Sequence, residues 1–239
     1  IKSKLKYYTN IIMKNNKQIV IGLGEIGRSI KIVLNCDGMD IEKTEKQHYD
    51  TIHICFPYSD NFIEEVKKYQ NYFTPSLTVI HSTVQIGTSK KLGAVHSPVR
   101  GKHPNLENGI RNFVKYFGGD KSKEASKIFS ELGIAVSDGH TSDTTEALKI
   151  WDTTQYGLNI ILEKEIKNFC DKNKLDFNTV YTDANCTYNE GYEKLGNPEY
   201  KKYNLKHSDG KVGGHCVINN LAFLDSDIAN FIKEFNKKL

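Results

Sequence analysis

Five short segments of this 239-residue chain combine residue types that could do chemistry. The first is Gly22-Leu23-Gly24-Glu25-Ile26-Gly27, between an apolar run at 17–21 and a periodic segment, 28–34, with apolar residues at 30, 32, 33 and 34. Strand, glycine turn and helix in that order are the setting in which G-x-G-x-x-G binds a dinucleotide. The first glycine permits a tight turn, the second lets backbone amides approach a pyrophosphate, and the third lets the helix pack closely on the sheet. The anion is held by free N–H groups at the positive helix end. Asp40 lies 18 residues beyond Gly22, where an acid accepts hydrogen bonds from an adenosine ribose and favours NAD over NADP. Glu25 and Ile26 belong to the same candidate cofactor turn. The competing reading is a glycine turn that binds nothing.

The second segment is His81-Ser82-Thr83-Val84-Gln85-Ile86-Gly87-Thr88, directly after an apolar run. Hydroxyls at a strand's carboxyl end line the crevice where doubly wound sheets bind ligands, which makes Ser82 and Thr83 cofactor candidates. Pro57, which stops the run at 51–56, is a third. A Ser/Thr helix cap would use the same hydroxyls. The third segment, 96–105, packs two histidines, Arg100 and Lys102 around two prolines. A guanidinium fork binds carboxylate or phosphate, so Arg100, His103 and Asn105 are candidate substrate contacts; a plain surface loop is the alternative. The fourth is Lys149 within a helical pattern that also holds Glu146 and Thr153, where position alone says little. The fifth is Gly213-Gly214-His215-Cys216. A thiol at a helix N-terminus is a better nucleophile, and a buried structural cysteine is the alternative. No Cys-x2-Cys or His-x3-His spacing accompanies it, so no metal site is expected.

Strands are expected at 17–21, 38–41, 51–56, 77–81, 93–96, 113–117 and 134–137, with helices at 28–34, 60–70 and 121–132. Alternating strands and helices predict a parallel, doubly wound α/β sheet of Rossmann type. The nine residues between Asp40 and Asp50 suggest that the usual third-strand unit is trimmed. From Thr141 to about Cys170 the pattern predicts one helix, opened by Ser142 or Asp143 with Glu146 close behind. At 1.5 Å per residue it would run about 45 Å, which calls for a second subunit as cover. A polar, tyrosine-rich loop is expected at 181–210 and an amphipathic helix from Asn220 to Lys238. The expected divisions are therefore a dinucleotide-binding domain at 13–140, a central dimerisation helix at 141–170 and a C-terminal helical cap at 171–239. Residues 1–12 are given no function.

Composition narrows the classes. The chain is 38% hydrophobic and 26% charged, with a net charge of +4, which suits a globular protein. No apolar run approaches the roughly 18 residues of a membrane span. Only Arg28, Arg100 and Arg111 are arginine among 33 basic residues; dispersed lysines suggest a solvated surface and no nucleic-acid partner. Five scattered cysteines make no disulfide framework and suit a reducing, cytoplasmic location.

Taken in order, GLGEIG, Asp40, HICFP, STVQIGT, HSPVRGKHPN, FGG, EALK and GGHC resemble the UDP-glucose/GDP-mannose dehydrogenase family from Ile19 to about Asn220. The resemblance implies NAD-dependent oxidation of an alcohol group of a sugar-like or nucleotide-sugar-like substrate; members oxidise the C6 alcohol of a nucleotide sugar to a carboxylate in two NAD-dependent steps. Cys216 would be the nucleophile that holds an aldehyde as a thiohemiacetal, Lys149 would stabilise the developing oxyanion, and Thr83 would lie near the nicotinamide. Thr153 and Gly214 would lie near the substrate, and the long helix would form a homodimer. Three positions depart from the family pattern: Val99 stands where Ser-Pro-Glu is usual, Thr153 where an asparagine follows the lysine, and Asn220 where an aspartate follows the cysteine. Members also carry a further nucleotide-gripping α/β domain, so a short form is expected. A one-step hydroxy-acid dehydrogenase with a structural Cys216, and a non-catalytic NAD-binding or partner subunit, are the rival readings.

Overall fold

The computed structural model describes residues 17–40, 47–212 and 215–239. The stretch 1–12 and the candidate Gly214 lie outside the described residues, and for His215 and Cys216 the description covers the backbone alone. The chain folds as two compact units, one up to Lys149 and one from Ile150.

The first unit is built on seven strands: β1 (Gln18–Ile21), β2 (Asp37–Met39), β3 (Thr51–Ile54), β4 (Leu77–Ile80), β5 (Val95–His96), β6 (Lys115–Gly118) and β7 (Val136–His140). Their order is β2-β1-β3-β4-β5-β6-β7. Every neighbouring pair is parallel except β5 with β6. Among the described residues one strand, β2, lies beyond β1, which agrees with a trimmed third-strand unit. The helices here are α1 (Glu25–Leu34), α2 (Phe62–Phe73), α3 (Thr88–Lys91), α4 (Leu106–Asn112) and α5 (Ser122–Ser130), followed by the first turns of α6 (Ser142–Asn173). This is the doubly wound α/β fold.

Sheet alternation explains the two cores. All four residues of β3 and of β4 are buried, as strands covered on both faces must be. Ile19, Ile21, Ile52, Ile54 and Ile80 point to one face, against Phe62 and Phe73 of α2. Val20 and Val79 point to the other, with Val33, Phe117 and Phe129.

His53 shares that second face, opposite Val20 on β1 and Val79 on β4. It lies at the centre of a buried polar chain. His81 Nδ1–H donates to the Ser97 carbonyl at 2.7 Å, and a neutral His81 then accepts at Nε2 from His53 Nδ1 at 3.0 Å. His53 Nε2 lies 3.0 Å from the end of the Gln18 side-chain amide, whose NH2 group donates to it when the amide is turned to suit the neutral imidazole. The Lys115 ammonium donates to the carbonyls of Ser97 and Pro98 at 3.1 and 3.3 Å, and it lies 5.1 Å from the centre of the Phe129 ring.

The second unit holds the rest of α6, a π-helical turn at Asn178–Asp183, α7 (Ala184–Lys194), α8 (His215–Asn220) and α9 (Asp227–Lys238). Its core joins Ile161, Val212, Val217, Leu221, Ala229 and Ile232. Two expectations need correction here. Residues 178–194 are helical, where the sequence pattern predicts a loop from 181. Tyr188 and Tyr192, one helical turn apart, meet with ring centres 4.8 Å apart and planes tilted by 53°, and Asn189 bonds both backbone groups of Lys202 at 2.8–2.9 Å. Polar and aromatic side chains therefore hold a helix without an apolar stripe. The C-terminal helix starts at Asp227, with Ser226 accepting a bond from Ala229 N, and 215–220 form a separate helix.

The buried bases set an acid limit. Burial, reinforced by the Lys115 charge, pushes His53 down to about 3, and burial pushes His96 down to about 3 as well. His81 is lowered further by burial, then by Lys115. Burial brings Lys115 down to about 7. Below pH 6.5 the unfolded chain takes up protons at His53 and His96 that the native core refuses until about pH 3, and His81 acts in the same direction, so stability is lost as the pH falls across that window. Each histidine contributes a slope approaching ~1.4 kcal/mol per pH unit. Lys115 acts from about pH 7 to 10.5, where the unfolded chain holds the extra proton and stability rises with pH. Urea unfolding is expected to show a midpoint that drops steadily from pH 7 to pH 5, with a shallower slope in His53→Gln. A flat profile would contradict the neutral chain.

Candidate active site

Parallel strands bring their carboxyl ends to one edge of a sheet, where doubly wound folds bind ligands. Gly22 follows β1, Phe56 and Pro57 follow β3, His81 to Thr83 follow β4, and Ser97 to Arg100 follow β5. β1 pairs with β2 on one side and β3 on the other, so the connections diverge there.

The three glycines of the turn do different jobs. Gly22 has φ +93°, and a Cβ on it would lie 2.7 Å from the Phe56 nitrogen. A Cβ on Gly27 would meet the Gly22 carbonyl oxygen at 1.8 Å. Both are required by backbone packing between α1 and the sheet. At Gly24 nothing lies within 4 Å of an added Cβ, the backbone angles (φ −66°, ψ −168°) suit any residue, and no side chain from that position caps α1. The space beside Gly24 is open, and a side chain there would stand next to the free amides that begin α1.

Gly22 N donates to the Met39 carbonyl at 2.9 Å, which sets Asp40 beside the turn at the end of β2, exposed to solvent. Ile26 is half-buried against the core with Val20 and Val33. Glu25 pairs with the His103 imidazole, so the 96–105 segment reaches the glycine turn. Arg100 lies 5.9 Å from the centre of the Phe113 ring. Asn105 precedes α4, exposed. Pro57 is exposed at the end of β3, and Ser82 is buried with its hydroxyl donating to the Phe56 carbonyl at 2.6 Å. Thr83, half-buried, follows it. Val99, at the departed glutamate position, is a core residue packed with Leu106 and Ile110.

The start of α6 crosses this edge. Gly118 makes room for it, since a Cβ there would lie 2.3 Å from the Thr141 carbonyl oxygen and 2.7 Å from Thr145 Oγ1. His96 Nε2–H donates to the Ser82 carbonyl at 3.2 Å, and its Nδ1 lies 3.0 Å from Thr145 Oγ1. One residue further, the fully buried Glu146 accepts from Gly87 N at 2.6 Å and Ser89 N at 2.8 Å. Burial raises its carboxyl above the usual range, while the bonds from Ser89 and Gly87 pull the other way. Lys149 stands half-buried one turn on, and its charge adds to the burial that lowers the proton affinity of both His96 and Lys115.

Sequence reasoning reads Glu146 as a helix-opening residue; its role as a clamp on 87–89 is long-range and leaves no local signal. It also misses His53 and Lys115. Each is a lone base in an apolar strand pattern, the one signal that could flag them.

In the second unit two departed positions meet. Asn220 Nδ2 donates to Thr153 Oγ1 at 3.2 Å, and the Thr153 hydroxyl donates to the Ile150 carbonyl at 3.0 Å. Both side chains are buried. Cys216 is the second residue of α8.

No family model matches the chain, and no curated protein matches it in sequence. Solved structures do resemble it. A UDP-D-ManNAc dehydrogenase from Pyrococcus horikoshii superposes with a TM-score of 0.73 at 16% identity, over 92% of this chain and 68% of that one. A UDP-glucose dehydrogenase from the archaeon Pyrobaculum islandicum gives 0.67 at 14%, over 93% and 68%. The 3-hydroxyisobutyrate dehydrogenase of Mycobacterium tuberculosis gives 0.65 at 13%, over 93% of both chains. The chain shares their fold.

The clamp is open to test. Glu146→Gln turns one acceptor into a donor facing a backbone N–H, which should lower unfolding free energy by about 1–3 kcal/mol. Urea denaturation measures it, and a loss below about 0.5 kcal/mol, the range of an ordinary surface change, would show that Glu146 ties nothing down.

Proposed function

We propose that this chain is an NAD-dependent dehydrogenase acting on an alcohol of a small, sugar-like substrate. The observation that carries the reading is the glycine turn, closed against backbone at Gly22 and Gly27 and open at Gly24, at the same sheet edge as Lys149. The residues present fit a dinucleotide: the amides around Gly24, Glu25 and Ile26 would hold the pyrophosphate, Asp40 the adenosine ribose, and Pro57, Ser82 and Thr83 would line the crevice. NAD, when bound, supplies the hydride acceptor. Lys149 would polarise the substrate oxygen and stabilise negative charge on it as its proton leaves. Arg100, His103 and Asn105 would contact the substrate. Cys216, at the start of α8, would capture an aldehyde, in line with the family resemblance, and Thr153 and Gly214 belong with it. The solved structures of similar fold include dehydrogenases of sugar nucleotides and of a hydroxy acid, which supports an oxidoreductase of this general class.

A one-step hydroxy-acid oxidation is the second reading. It is favoured by the 93% mutual coverage with 3-hydroxyisobutyrate dehydrogenase, by Val99 in the core and by the mutual bond of Thr153 and Asn220. Counting NADH formed per substrate separates the readings: two equivalents support aldehyde capture by Cys216, and one supports the single step.

The chain is further proposed to form a homodimer through α6. Trp151, Leu162 and Phe169 are 45%, 54% and 57% exposed, and spacings of 11 and 7 residues put them on one helical face. Leu162→Glu with Phe169→Glu should convert a dimer to a monomer in analytical ultracentrifugation; a wild-type chain that sediments as a monomer overturns the assignment.

For the cofactor, Gly24→Val should leave unfolding free energy within about 0.5 kcal/mol of wild type while abolishing NAD binding by titration calorimetry. Gly27→Ala should instead destabilise the fold by about 1–3 kcal/mol or more. NAD binding that survives Gly24→Val would remove the turn from the site.

A further inference from the structure

The second unit contains a cavity of about 290 Å³ between the Tyr156–Lys164 face of α6 and the segment 205–212. Its charges do not balance. Lys164 is only 4% exposed, and its ammonium donates to the Ser208 carbonyl. Among the described residues no carboxylate pairs with it. Lys206 and Lys211, exposed at the same cavity, also lack a carboxylate partner among the described residues. The one acid in the wall is Glu163, and it is already engaged: its buried carboxylate meets His207 Nδ1 at 2.6 Å, while His207 Nε2 faces Asp209 at 3.2 Å. A buried ammonium without a counter-ion is costly, and an anion entering the cavity would relieve that cost.

Three ammonium groups around one space suit a compact, doubly charged group better than a single carboxylate, and lysine binds phosphate as a point charge. Tyr156, Ile160 and Leu205 supply an apolar wall on the same cavity. We propose that this cavity binds the phosphate group of a small phosphate ester, with the organic part against the apolar wall. The site is independent of the glycine turn, and it stands or falls apart from the dehydrogenase reading.

Calorimetric titration at low ionic strength with inorganic phosphate and with phenyl phosphate tests it. The full chain carrying Gly24→Val, which blocks the other anion cradle, is the starting protein. One-to-one binding is expected, tighter for phenyl phosphate by about fivefold or more, the gain from burying roughly one aromatic face. Lys206→Gln with Lys211→Gln, both at exposed positions, should weaken it by about tenfold or more, and Lys164→Met should do the same where circular dichroism shows an intact fold. Lys90→Gln with Lys91→Gln, a lysine pair of the first unit, should change it less than about twofold, the expected scale for diffuse charge. Equal affinity for the two probes would restrict the site to free phosphate and overturn the ester assignment. Absent saturation, or equal weakening by both lysine pairs, would overturn the site itself.

Discussion

A single buried carboxylate relates the helix that carries Lys149 to the loop that carries Thr83. Glu146 reaches from α6 to the amides of Gly87 and Ser89, which open α3. Those amides have no acceptor within their own short helix, and a charged acceptor at a helix start gives some of the strongest hydrogen bonds a protein makes. Two bonds from one rigid group fix both the rotation and the height of α6 on the sheet edge. The neighbouring Thr145 adds a second tie through His96 to the Ser82 carbonyl. Lys149, one turn beyond, inherits its position from these contacts. The arrangement puts the constraint in the scaffold and leaves the lysine itself half-buried at the edge.

Glycine serves the same edge by subtraction. Gly27 and Gly118 are sites where one backbone segment lies so close to another that any side chain would displace it, and the helices α1 and α6 approach the sheet through them. Gly24 shares the motif and has no such neighbour. Its lack of a side chain contributes nothing to packing, and it leaves the backbone amides at the start of α1 uncovered by any side chain from that position.

The apolar runs 17–21, 51–56 and 77–81 make the central strands legible, because strands buried on both faces are mainly apolar and leave little ambiguity. The glycine turn and Asp40 are legible because their spacing is set by the fold itself. The region 181–210 is not. Its helix is held by the Tyr188–Tyr192 pair at a four-residue interval and by the bonds of Asn189 to the Lys202 backbone, and periodicity judged on apolar residues is blind to such contacts. The histidines of the core are invisible for a related reason. His53 occupies a position where Val20 and Val79 flank it, and only the pairing of β3 with β4 and the approach of Lys115 from β6 reveal that it is one link in a hydrogen-bonded chain.

The positions that depart from the resembled family are not scattered losses. Val99, which stands where the resembled family has a glutamate, is packed in the core with Leu106 and Ile110. Thr153 and Asn220 satisfy each other: the amide that stands in for an aspartate donates to the hydroxyl that stands in for an asparagine. A carboxylate at 220 and an amide at 153 could make a similar bond with the donor and acceptor exchanged, so the present pair preserves the contact while removing a negative charge from the second unit. Random decay would be expected to leave buried polar atoms without partners, at a cost of about 1–3 kcal/mol each. The Thr153–Asn220 pair leaves neither side chain without a partner in the second unit. In the first unit, Gly22 and Gly27 are the glycines of the turn that backbone packing requires.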